Sequence, residues 1–324
     1  MSLTTKLEEM KMQSLLFKVS SILLFCSTVL ANDIYINQSG DNVDINITQD
    51  GQNNRISRKN DSTTSSPGAA TFYGKNQSLT STQTGDNNML GLYKHYYGSD
   101  NQTSGSITTT QTGDDNIMRI DTHGDNNNVS GQQITSNANM DLEIDYDGNS
   151  VDARQRCSVG SSCNQDTMVL NVYTGNDNDI MMGQGYKISE TGNWQYDGTE
   201  QGGHSMDLYV TGDRNDIIMS QRSQNNTSGH YMDINIYSDD NDVHLMQESN
   251  STKSLTLNIN NDDNNVSIHQ KKSHGQTATV TLDGNYGTNL DLQMGTGQST
   301  QAGTYSLNQN CQTVGGCSIT VTQN

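Results

Sequence analysis

Proline is almost missing from this chain. There is one in 324 residues, with three phenylalanines, one tryptophan and an aromatic fraction of only 6%. Apolar residues make up 30%, and mean hydropathy is −0.76. So little apolar material starves a thick globular core, and composition of this kind by itself permits disorder. Positive charge is scarce too, with 17 Lys and Arg against 36 acidic residues and a formal net charge of −19. Such a surface repels nucleic acid and anionic membrane, so neither is an expected partner.

Catalytic signatures are also lacking. There is no Ser-His-Asp signature and no phosphate-binding glycine loop. Asp141, Glu143 and Asp145 recur as the outward side of a strand. His204, His230 and His274 sit beside repeat starts, and His123, His244 and His269 at or within strands, all reading as exposed polar positions. No catalytic residue is expected.

A long apolar run occurs once, as "SLLFKVSSILLFCSTVLA", closing with Val29 and Ala31 at −3 and −1 of a cleavage site. Interrupted by Lys18, Ser20 and Ser21, it reads as a secretory signal over residues 1–31 rather than a membrane span. Residues 32–324 then form one repeat domain. The four cysteines beyond the signal make two C-x5-C pairs, Cys157 with Cys163 and Cys311 with Cys317. In an exported chain these read as disulfide-closed loops, since zinc sites favour two-residue spacing and nearby histidines. Closing loops this short gains about 2–3 kcal/mol each.

What the chain has in abundance is repetition. "SMDLYVTGDRNDIIMSQ" (205–221), "YMDINIYSDDNDVHLMQ" (231–247) and "SLTLNINNDDNNVSIHQ" (254–270) write one phrase three times, and "ATVTLDG" starts a fourth. Apolar residues step by two, as in Met206, Leu208 and Val210, the period of a half-buried β-strand. Between strands the chain writes Gly-x-x-Asn with an apolar residue one or two places beyond six times: Gly51–Asn54, Gly85–Asn88, Gly113–Asn116, Gly124–Asn127, Gly175–Asn178 and Gly212–Asn215. These residues tolerate positive φ and satisfy turn backbone. Turn asparagines are followed six residues later by glutamine in Asn127 and Gln133, Asn178 and Gln184, Asn215 and Gln221, Asn241 and Gln247, and Asn264 and Gln270. A glutamine in phase with inward apolar positions is buried, which is costly alone but not in a stack where each amide bonds to the next copy. The expected fold is all-β, a β-solenoid of stacked strand–turn–strand repeats.

At these residues the chain resembles the curlin-repeat family, whose pattern is Gln-x-Gly-x-x-Asn with a second glutamine six residues after the asparagine. "QDGQNNRI", "QTGDNNML" and "QTGDDNIM" carry its first half, with Gln49, Gln83 and Gln111 at the first glutamine and Asn54, Asn88 and Asn116 at the asparagine. The five later glutamines take the second position. Later copies hold Val210, Ile236 or Ile259 where the first glutamine belongs, and the family's small alanine position holds Ile180, Ile217, Val243 or Val266. The resemblance implies a curli-like extracellular amyloid fibre subunit, exported through an outer-membrane secretion channel, started by a nucleator subunit and polymerising with itself at the cell surface. Its amide ladders would direct fibre stacking, and adhesion and biofilm matrix would follow. The alternative is a secreted calcium-binding β-roll adhesin, suggested by "TGNDND", "TGDRND" and "SDDND". No cofactor is expected beyond loosely bound calcium screening the aspartate rows.

Overall fold

The computed structural model describes residues 33–34, 37–39, 42, 44–56, 71–73, 77–91, 105–122, 127–134, 136, 138–145, 148–156, 163–175, 178–185, 202–212, 215–223, 229–237, 240–260, 263–272, 275–284, 288–296, 303–311 and 317–323. The expected signal segment 1–31 lies outside them. Among the described residues the regular elements are all β-strands.

Two parallel sheets carry most of the chain. The first has eight strands: Ile120–Thr122, Asn139–Asp145, Cys163–Gly175, Gly202–Gly212, His230–Tyr237, Lys253–Asn260, Gln276–Gly284 and Thr304–Cys311. The second has six: Asp179–Gln184, Asp216–Ser223, Asp242–Ser249, Asn265–Lys271, Asn289–Thr296 and Ser318–Gln323. A three-stranded sheet of Asp44–Thr48, Gln77–Thr82 and Gly105–Thr110 leads into the second through segments without regular strands. Its continuity is carried by main-chain bonds from Ile107 N to Asn128 O, Val129 N to Ser150 O and Val151 N to Asp179 O, each 2.9 Å. The chain therefore alternates between two faces, turning one corner into the second sheet and another back to the first. This is a β-solenoid.

Alternation explains why a chain poor in apolar residues folds. Each strand turns every second side chain inward, so one rung needs few apolar groups, and the rung above seals them. Met206, Met232 and Leu255 lie in register, as do Ile217, Val243 and Val266. All of these are buried, and full burial of such a side chain is worth about 1.5–3 kcal/mol. The middle inward column of the second face changes along the molecule. It runs Ser81, Thr109, Gly131 and Ala153, then Met182, Met219, Leu245, Ile268 and Leu292. At Gly131 a Cβ would stand 3.2 Å from Met118 Sδ and 3.5 Å from Met140 Sδ, so long side chains of the facing sheet occupy the room that the small residue leaves.

Candidate functional site

A column of glutamines runs along the inner edge of the second face. Gln49, Gln83, Gln111, Gln133, Gln184, Gln221, Gln247 and Gln270 are all buried. Gln83 Nε2 donates to Gln111 Oε1 at 2.5 Å, Gln111 to Gln133 at 2.6 Å, and Gln133 to Gln155 at 2.7 Å. Further along, Gln247 donates to Gln221 at 2.9 Å and Gln270 to Gln247 at 2.8 Å. The second amide hydrogen crosses the arch to a main-chain oxygen of the facing side: Gln111 to Ile117 O at 3.1 Å, Gln247 to Ser254 O at 3.0 Å, Gln270 to Thr277 O at 3.0 Å. Each amide thus ties a rung to its neighbour and one face to the other, which offsets the cost of burying it.

One feature of this column differs from the sequence reading. Gln49, Gln83 and Gln111 were expected at a separate first position, in line with Val210, Ile236 and Ile259. Instead Gln111 pairs with Gln133, so both sets occupy one column at the end of the second-face strand. The reason is that the six Gly-x-x-Asn turns belong to two different corners. Asn54, Asn88 and Asn116 form the corner leading into the first sheet, where Asn88 donates to Asn54 at 2.9 Å and Asn116 to Asn88 at 2.6 Å. Asn127, Asn178, Asn215, Asn241 and Asn264 lie at the opposite corner, where Asn215 donates to Asn241 at 2.7 Å and Asn241 to Asn264 at 2.5 Å.

Sequence reasoning missed one complete rung of these columns. Gln155 accepts from Gln133 and donates to Thr167 O at 3.2 Å, while Asn149 donates to Asn127 at 2.9 Å. Asn149 and Gln155 are six residues apart like the other pairs. That interval was the available signal, hidden because no Gly-x-x-Asn precedes it.

Both columns change direction at the same place. Upstream, each bonded glutamine donates toward the C-terminus; downstream, toward the N-terminus. Gln184 and Gln221 meet in register, but Gln221 directs its amide hydrogens to His204 O at 3.4 Å and Tyr231 O at 2.7 Å. Asn178, buried at this seam, has no hydrogen-bond partner for either amide atom among the described residues.

The corner into the first sheet also changes its chemistry. Where Asn116 stands two residues before Met118, His204, His230 and Lys253 stand two residues before Met206, Met232 and Leu255. They follow one another in register and lead to Gln276. The expectation that the histidines are exposed fails here. His204 and His230 are 2% exposed and stacked with ring centroids 4.9 Å apart, because the corner places them over the core rather than outside it. Burial, with His204 and Lys253 close by, holds the His230 pKa well below its ordinary value. Lys253 is 1% exposed. Its Nζ donates to Ser249 O at 2.6 Å and Ser251 O at 2.9 Å, and burial lowers its pKa to about 8.

Cys317 is disulfide-bonded, and Thr288 N donates to its Sγ at 3.4 Å. Cys157 and the side chains of Cys163 and Cys311 lie outside the described residues. Among the described residues, no group of three or more His, Cys, Asp or Glu is placed to hold a metal ion.

Fold and columns together define a parallel β-solenoid held by internal amide ladders. No family model, curated protein or solved structure matches the chain.

Proposed function

We propose that the chain is a secreted structural subunit of curli-like extracellular amyloid fibres, self-assembling by rung stacking and supporting adhesion and biofilm matrix. The observation that carries this reading is the glutamine column. Its bonds join residues 22 to 28 positions apart through groups that an identical rung of another molecule would present equally well. Backbone edges favour the same outcome. Thr304–Cys311 and Ser318–Gln323 are the edge strands of their sheets. Tyr305 and Ile319, each 44% exposed, lie in line with the core residues Ala278 and Leu290. A second copy laid on these strands would pair their open backbone groups and cover the apolar ones. Such a head-to-tail contact does not close, so it builds filaments. Export through an outer-membrane channel and a nucleating partner subunit belong to the same reading.

The test is incubation of purified residues 32–324 with and without calcium. Fibres in electron micrographs, with cross-β reflections near about 4.8 and about 10 Å, are the expected result, and Ile319→Lys should stop their growth while leaving the monomer folded. A chain that stays disordered until calcium is added and then folds as a soluble monomer is instead a calcium-binding β-roll adhesin.

A further inference from the structure

The outward face of the eight-stranded sheet is uneven. On three successive strands, 163–175, 202–212 and 230–237, it carries Tyr173, Tyr209 and Tyr237, whose ring centroids follow one another at 5.7 and 5.5 Å. Tyr231 shares this face and donates its hydroxyl to Asp233 Oδ2 at 3.3 Å. Tyr173, Tyr231 and Tyr237 are 38%, 40% and 43% exposed, unusual for rings in a chain with so few. Tyr209 is in register with Asn235, and Tyr237 with Thr211, so the rings step diagonally from strand to strand, tilted by 49° and 45° to one another. On the strands that follow, the positions in register with Tyr209 are Asn258 and Thr281, and the run of rings ends.

Beside the rings, Asp207 and Asp233 are neighbours in register. The residues flanking this pair are Val169 and Thr256, neither of which is charged. Burial and the Asp233 charge push the Asp207 carboxyl above its ordinary range.

We propose that this face binds an extended polysaccharide bearing free amino groups, its sugar rings stacked on Tyr173, Tyr209 and Tyr237 and its ammonium groups against Asp207 and Asp233. The electron-rich face of a tyrosine attracts both the C–H face of a pyranose and an ammonium group. Spacing favours a sugar over a peptide. An extended peptide repeats same-side groups about every 6.6–6.8 Å, longer than the 5.5–5.7 Å between these rings. One sugar of a β-linked chain advances little more than one strand spacing of about 4.8 Å, so successive sugars stay in step with successive rings. Charge selects the cationic member of that class, since the whole chain carries −19. The bonded amides of Asn235 and Asn258, 2.9 Å apart, continue the polar strip toward sugar hydroxyls. The site does not depend on whether the chain polymerises.

Calorimetric titration of the folded chain tests this with four β-1,4 or peptide probes: glucosamine hexamer, N-acetylglucosamine hexamer, glucose hexamer and hexalysine. Glucosamine hexamer should bind at least about tenfold more tightly than the others, and Tyr209→Ala should weaken it by at least about tenfold. Asp207→Asn with Asp233→Asn should erase the preference for the amino sugar. Thr279→Ala, on the ring-free part of the same face, should leave binding unchanged. If Tyr209→Ala loses strand content by circular dichroism, the more exposed Tyr237→Ala carries the comparison. Equal binding of hexalysine, equal binding of the neutral sugars, or tyrosine variants that bind like the parent would each overturn the proposal.

Discussion

Residues 44–155 and residues 202–296 solve one problem in two ways. Upstream, the second face fills its middle core column with Ser81, Thr109, Gly131 and Ala153, and methionines from the first face reach across. Downstream, Met219, Leu245, Ile268 and Leu292 fill that column from their own side, and every second-face segment is a regular strand. The upstream backbone bends instead. Asp152, Ala153, Arg154 and Gln155 all have positive φ, at 127°, 27°, 137° and 37°, a costly conformation for residues with a Cβ. Upstream corners are amide ladders, whereas the downstream corner into the first sheet holds two imidazoles and an amine. A rung can thus be stabilised by amides and main-chain bonds or by aliphatic packing, and the chain moves from the first toward the second.

The largest effect that could break this contrast is in the core. Leu245→Ala should cost about 2–5 kcal/mol in urea unfolding, while Thr109→Ala, in the same column upstream, should cost about 1 kcal/mol, mainly its hydroxyl contact to Met118 Sδ at 3.1 Å. Equal losses would mean that the two blocks share one kind of core.

Next comes the ladder. Gln247→Ala strips Gln221 Oε1 and Ser254 O of their donor, which should cost about 2–3 kcal/mol. Gln184→Ala, at the seam where no ladder bond joins it to Gln221, should cost about half as much. Amide exchange in 253–271 and in 179–184 would read the two, and identical losses would remove the seam.

The corners differ in pH response. His230 keeps a folded pKa below the ordinary value of about 6.5, so the unfolded chain takes up the proton first. Stability of rungs 202–260 should therefore fall as pH drops below about 6.5, by up to about 1.4 kcal/mol per pH unit, and His230→Gln should flatten that slope. Lys253 acts at the other end: with its pKa near 8 against 10.5 unfolded, stability should rise as pH climbs between those values. The Asn54, Asn88 and Asn116 column holds amides in place of the imidazoles and the amine, and should show neither of these two slopes. Exchange rates corrected for intrinsic pH dependence give the comparison.

The smallest effect is in a half-buried ion-pair cluster. Glu248 lies 3.0 Å from Lys272 Nζ and 3.7 Å from Arg222 Nε. Glu248→Gln should cost no more than about 1 kcal/mol, and less in high salt.

The alternating core was legible because burial in a strand is a local matter. Met232, Ile234 and Ile236 announce their side of the sheet two residues at a time, and the Asn-to-Gln interval marks one strand of fixed length. Other features were hidden. Gly113–Asn116 and Gly212–Asn215 look alike, yet they turn opposite corners, since a local motif carries no label for the sheet that receives it. His204 and His230 read as loop residues because the seat over the core at a corner exists only once rungs are stacked. Tyr173, Tyr209 and Tyr237 sit at unequal intervals, so no period in the chain revealed that they form one platform.

By itself, then, the sequence determined which side chains face inward and that each rung needs another above it, for these follow from strand period and from a shortage of apolar groups. Only the stacked structure decided that Gln49, Gln83 and Gln111 share one column with Gln133 and the later repeat glutamines, that the amide ladders reverse between Gln184 and Gln221, and which surface gathers the tyrosines. Those depend on register between residues more than twenty positions apart, which loop lengths and packing set together and no single strand contains.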